Sequence, residues 1–151
     1  MISEELIERV LEKPYDYAIC LNAESCPKRE RCLHALETTA SKCSAQIIRC
    51  VNPQFYADGK ECAQFRDKDA KCRYAFGFTR QSERMKAMGK YKEFMTACQK
   101  WFCRTVYYDM RAGNRTITPD EQRIIIGCAE KVGVHFPANA FDRMVETTDW
   151  H

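Results

Sequence analysis

The chain has no run of about eighteen apolar residues, so nothing in the sequence reads as a membrane span. Its first residues, MISEELIERVLEK, lack the basic start and apolar stretch of a secretory signal, and the reducing cytoplasm is the expected compartment. Histidine is scarce. His34, His135 and His151 stand far apart, none with a carboxylate or nucleophile at a suggestive interval. A glycine-rich phosphate loop, a nucleophile elbow and a His-Glu-x-x-His pair are all missing, so the sequence does not read as a conventional enzyme. That leaves open a catalytic group assembled only in three dimensions. Neither sign of charge dominates: 24 Lys and Arg against 21 Asp and Glu leave a net charge of +3. This is far from histone-like basicity and leaves room for local basic patches. No internal repeat or low-complexity segment is visible.

What the chain does have is an ordinary globular core fraction, 45% hydrophobic residues, and ten cysteines. At this length it forms one domain or two small lobes. In a reducing compartment cysteines serve as small buried hydrophobes or as metal ligands. Cys98, Cys103 and Cys128 fall in helical apolar patterns and read as buried thiols. A mature chain cut from a secreted precursor would use its cysteines in disulfides instead. Cys20, Cys26 and Cys32 are spaced six apart, Cys26 directly before Pro27, and Cys62 follows a tight turn at Asp58-Gly59. Such a soft thiolate set suits a tetrahedral zinc ion or an iron–sulfur cluster. Its gaps are longer than the usual knuckle spacing of about two to four residues.

Cys26 precedes a predicted helix whose amides favour the thiolate, and Lys28, Arg29 and Arg31 add positive charge beside it. For the fourth ligand Cys62 is preferred over Cys50. Cys62 leaves a turn and points freely, whereas a strand fixes the direction of Cys50. Cys43, Cys72 and His34 are fallbacks. Zinc outranks iron–sulfur because no redox partner chemistry is visible. The plain alternative is scattered reduced thiols without metal.

The patterning predicts an α+β protein, mostly α. Ser3 caps a first helix stapled by Ile2 and Ile7, with Leu6, Val10 and Leu11 on its apolar stripe and Pro14 after it. A second helix runs from Pro27 to about Thr39. Gln46 to Val51 reads as a strand stopped by Asn52-Pro53, paired with a second strand over 73–78. From Ser82, Met85, Met88, Phe94, Met95, Cys98, Trp101 and Phe102 recur at helical spacing as a core stripe, with Gly89 a break. A short helix stops at Ala112-Gly113. Thr118-Pro119-Asp120-Glu121 opens another with a capping box, and Gly133 ends it. The tail, 136–150, reads as a further short helix whose aromatics dock. Residues 1–80 thus form a metal-clasped, cysteine-rich lobe with a small sheet. Residues 81–151 form a helical bundle.

The segments Tyr17-x-x-Cys20, Cys26-Pro27, Cys32-Leu33, Val51-Asn52-Pro53, Cys62-x-x-Phe65-Arg66 and Arg73-Tyr74-Ala75-x-Gly77-Phe78 carry a resemblance. So do Tyr107-Tyr108, Gly113-x-Arg115, Pro119-x-Glu121-Gln122 and Phe141-Asp142-Arg143. Together they resemble a family of small cysteine-rich proteins of Bacteroidales bacteria, a domain of unknown function. The resemblance covers nearly the whole chain through short motifs. It implies that Cys20, Cys26, Cys32 and Cys62 belong to a shared pattern and that the other cysteines are particular to this sequence. One residue more separates Cys20 from Cys26 than in that pattern. The family supplies no activity.

The second half, with the order helix, turn, helix, Gly-x-Arg, Pro, helix, Gly-Val, also resembles the Cro and phage-repressor helix-turn-helix class. That resemblance implies that Arg104, Thr105, Tyr107, Tyr108 and Arg111 face DNA, with Asn114 and Arg115 on the backbone. Lys86, Lys90, Lys92 and Lys100 would enlarge the positive field. Cys103 in place of a small turn residue, and a spacing from turn to loop about two residues short, depart from that class. A helical bundle with a solvated charged face is the plain alternative. The function expected from all this is a non-enzymatic, zinc-binding intracellular protein that binds DNA or RNA or acts as a regulator. The alternatives are a protein–protein adaptor with a purely structural metal, and an iron–sulfur redox or sensor protein.

Overall fold

A computed structural model of the chain describes residues 2–14, 17–40, 47–52 and 62–150. The Asp58-Gly59 turn, Pro53, Gln46, Cys43 and His151 lie outside the described residues. The architecture is α+β and mostly helical, with a small three-stranded antiparallel sheet. In chain order the elements are α1 (Glu4–Leu11), α2 (Leu33–Ala40), β1 (Lys71–Phe76), α3 (Thr79–Ala87) and α4 (Tyr91–Cys98). After them come α5 (Arg104–Ala112), β2 (Thr116–Ile117), α6 (Pro119–Lys131) and β3 (Arg143–Thr148). Two compact units result: Met1–Leu11 with Cys72–Thr147, and Glu12–Lys71 with Thr148–His151.

The first unit holds the main core. Its sheet has the order β2-β1-β3, with Ala75 opposite Ile117 and Phe76 opposite Thr116. The expected strand over 73–78 therefore exists, but its partners are β2 and β3. The apolar run at Ile47–Val51 contributes only an isolated bridge between Cys50 and Ile19. Phe78 packs edge-on against Phe94, Tyr107, Phe136 and Phe141 at centroid distances of 5.7 to 6.5 Å. Met85, Met110, Ile117, Ile125 and Cys98 are fully buried with them.

The helical stripe from Ser82 onward is two helices, because Gly89 takes φ +69° and Lys90 restarts the chain. Met88 and Trp101, expected in the core stripe, stand 49% and 62% exposed, since each falls beyond a helix end where the period lapses. Cys98 and Cys128 are buried thiols as expected. Cys103 is exposed and occupies the N-cap of α5, a correction to its reading as a core thiol. The tail forms β3, where a helix was expected. Val145, Thr147 and Thr148 are β-branched, and that stiffness favours an extended chain paired to β1.

Two local devices fix this unit. Thr118 Oγ1 accepts from the Glu121 amide at 3.3 Å while Glu121 Oε2 accepts from the Thr118 amide at 2.9 Å, completing the capping box with Pro119 at the first position. The start of α3 has no cap of its own. Its carboxylate comes from far along the chain: Asp142 accepts from the Thr79 amide at 2.7 Å and from the Arg80 amide and Nε at 3.3 and 3.1 Å. Gly77 leaves the space this needs, since a Cβ there would meet Asp142 Oδ2 at 2.7 Å, and its φ of +68° suits glycine. Asp142→Ala is expected to lower stability by about 1–2 kcal/mol, as loss of a helix cap does. A shift in urea midpoint at constant slope checks this; an unchanged midpoint removes the role assigned to Asp142.

The second unit contains α2, a 3₁₀ turn over Ala23–Ser25 and a bridge between Cys32 and Asp67. Pro27 does not start a helix here. The Leu33 amide donates to Arg66 O at 2.8 Å and the Lys68 amide to Arg31 O at 2.9 Å, so residues 31–33 are held extended across to 66–68. α2 begins only after this ladder, with Ala35 and Leu36 donating to Cys32 O. An Arg31–Asp67 ion pair closes the edge, and the Asp69 amide holds the Asp67 carboxyl below its ordinary range with help from Arg31.

Candidate functional site

Each cysteine of the expected quartet sits where the backbone turns. Cys20 O accepts from the Ala23 amide, Cys26 O from Arg29, Cys32 O from Ala35 and Cys62 O from Phe65, at 3.0 to 3.2 Å. A residue that opens a tight turn projects its side chain away from the loop, as ligands of a clasped ion must. The sequence places these turns through Pro27 and small or polar neighbours. Tertiary pairing of 31–33 with 66–68 brings the Cys62 turn to the other three.

The result is a single cavity of about 30 Å³ lined by Cys20, Cys26, Cys32 and Cys62, with Lys28 and Phe65 at its wall. That volume is near the share of one water molecule, about 30 Å³, and so is of the scale of one small ion. Lys28 Nζ lies 5.0 Å over the Phe65 ring, which holds a cation beside the thiols. Burial pushes the Cys20 thiol up. The Asn22 amide opposes that rise, and the nearby Cys32, Cys26 and Cys62 add to it. Among the described residues no group of three or more His, Cys, Asp or Glu side chains is arranged so that it could hold a metal ion as it stands.

Of the competing ligands, Cys50 is exposed and lines a neighbouring pocket, not this cavity. Cys72 lies in β1 of the first unit. His34 does line the cavity. Its Nδ1 is 2.6 Å from Ala18 O, and its ring stacks on Tyr17 with centroids 4.7 Å apart. Donation to a carbonyl from Nδ1 would leave Nε2 as the acceptor, the arrangement found behind metal-bound imidazoles. The Tyr17–His34 stack is not legible in the sequence, because stacking across sixteen intervening positions leaves no periodic signal.

The residues expected to face nucleic acid are placed differently from one another. Arg104, Thr105 and Asn114 are exposed. Tyr107 is fully buried in the aromatic core, where its ring reaches no groove. Arg111 donates to the Tyr91 hydroxyl at 2.5 Å and lies 4.9 Å over the Tyr108 ring. Arg115 pairs with Glu121 at 2.7 Å beneath the α6 cap. Lys86 and Lys90 pair with Glu83 and Glu93, while Lys92 and Lys100 are exposed. Gln122, from the same run of motifs, ties Arg73 O and Ile117 O together at 2.7 and 3.0 Å. Of these charges Arg111 and Arg115 are engaged by partly buried partners, while the Lys86 and Lys90 pairs lie on the surface.

No curated protein and no solved structure matches this chain. A family pattern does match, over residues 3–150, and spans both the cysteine-bearing unit and the helical one. The chain belongs to that family, described as a family of unknown function (DUF6078).

Proposed function

We propose that this is a non-enzymatic metal-binding protein in which Cys20, Cys26, Cys32 and Cys62 hold one zinc ion. The observation that carries the reading is the lining of one ion-sized cavity by four cysteines drawn from separate turns of the chain. Zinc accepts four thiolates in a tetrahedron, and such a closed set leaves no position for substrate or activated water. The ion therefore serves the fold. Lys28 offsets part of the net negative charge of a four-thiolate zinc centre. The four sulfurs would close onto the ion by side-chain rotation within the cavity.

The test is elemental analysis of protein purified without chelator from cultures supplemented with zinc or with iron. One zinc per chain under both conditions is the expected result. Iron with inorganic sulfide and visible absorption would replace zinc by an iron–sulfur cluster. A folded protein containing neither metal overturns the reading.

A further inference from the structure

Beside the thiol cavity, and sharing His34, Val51 and Gln64 with it, the second unit carries a larger pocket of about 520 Å³. We infer that this pocket is a binding site for a small organic anion, a carboxylate or phosphate ester carrying an apolar body. The Asp, Glu, Lys and Arg residues on its wall, among those described, are of one sign. Arg49 and Arg66 line it, and no carboxylate does among the described residues. Arg66 makes its hydrogen bonds through Nη1 alone, to Ala63 O and Phe65 O, among the described residues.

Two further donors are already out of water. The Tyr17 hydroxyl and the Trp150 indole Nε1 are buried and have no hydrogen-bond partner among the described residues. An unpaired buried donor costs roughly 1–3 kcal/mol, which an accepting ligand recovers. Trp150 meets Tyr17 edge-on at 5.0 Å, and Tyr17 stacks on His34, so the donors are set in an aromatic wall. Burial pushes the Tyr17 phenol up to about 12, against the lowering effect of Arg66, so at neutral pH it keeps its proton and donates. The carboxylates that also raise it, Glu37 and Asp149, do not line the pocket, and Glu37 is ion-paired with Lys13. A volume of this size is in the usual range for small-molecule sites, roughly 300–1,000 Å³.

The inference does not rest on the metal, and the test separates the two. In full-length Trp101→Phe protein, Trp150 is the only tryptophan left of the two in the chain. Titration with benzoate and with phenyl phosphate is expected to change its emission saturably and to raise Tm. Benzylamine and benzyl alcohol are expected to do neither. Adding Tyr17→Phe, which removes a single oxygen, weakens anion binding about tenfold, and Arg66→Gln by at least as much. Zinc content, measured in parallel, stays unchanged in Tyr17→Phe. Preference between the two anions tells carboxylate from phosphate. The inference is overturned if neither anion binds, if benzylamine binds as well as they do, or if anion binding is indifferent to Tyr17→Phe. Should Arg66→Gln fail to fold, the Tyr17→Phe comparison decides alone.

Discussion

Cys62→Ser is expected to abolish stoichiometric zinc and to unfold the cysteine-bearing unit, while Cys50→Ser changes neither. A structural zinc site contributes on the order of 10 kcal/mol to folding, against a typical total stability of about 5–15 kcal/mol. Among the described residues of the second unit the buried cluster is Ala23, Cys32 and Ala35 with Phe65 packed against them, and Leu33 and Val51 are buried as well. A unit of some sixty residues gains much of its stability from a cross-link or an ion where it has one. Native mass spectrometry reads the metal, and hydrogen exchange of the amides in 17–40 and 62–70 reads the fold. If Cys62→Ser keeps its zinc and His34→Ala loses it, the fourth ligand is the imidazole. If Cys32→Ser also keeps a full zinc, the thiol centre is not there.

In the first unit the largest effect is expected at Phe78. Its ring touches four other aromatic rings and is fully buried. Edge-to-face pairs of this kind add to the area term, and truncating a buried phenylalanine to alanine costs about 3–5 kcal/mol. Its backbone matters too, with its amide bonded to Arg111 O at 3.1 Å and its carbonyl accepting from Ser82. Phe78→Ala is therefore expected to consume a large part of the stability of this unit, whereas Trp101→Ala, at a 62% exposed site, stays within about 0.5 kcal/mol. Urea unfolding followed by circular dichroism at 222 nm, an order-of-magnitude choice of wavelength for helix, compares them. Equal midpoints for the two variants would remove Phe78 from the centre of the core.

The elements that were legible in the sequence are those governed by local rules. Thr118, Pro119 and Glu121 announce the start of α6 because a capping box is closed within one turn, and the structure has it. The cysteines drew notice for a different reason. Soft ligands at repeated spacing are rare enough by composition to draw notice wherever they lie. What local rules missed is what long-range pairing imposed. Arg73 to Phe78 reads equally well as a strand for any partner, and only the tertiary fold gives it Ile117 and β3. Pro27 is well formed for a helix start, yet the ladder to 66–68 takes the Leu33 amide and the Arg31 carbonyl that a continuous helix would need. Arg111 and Arg115 carry the chemistry of phosphate contacts, and the fold spends them on Tyr91 and Glu121.

By itself, then, the amino-acid order determined that this chain is α+β and mostly helical, where its capped helix begins, and which thiols merit attention. Periodicity and capping act over a few residues and leave their mark in the order itself. Which strand pairs with which, that Asp142 caps a helix sixty-two to sixty-three positions away, and that Tyr17, His34 and Trp150 share one wall were decided only by the tertiary structure. Those contacts join residues remote in sequence, and nothing short-range distinguishes a partner from a bystander until the backbone has closed around both.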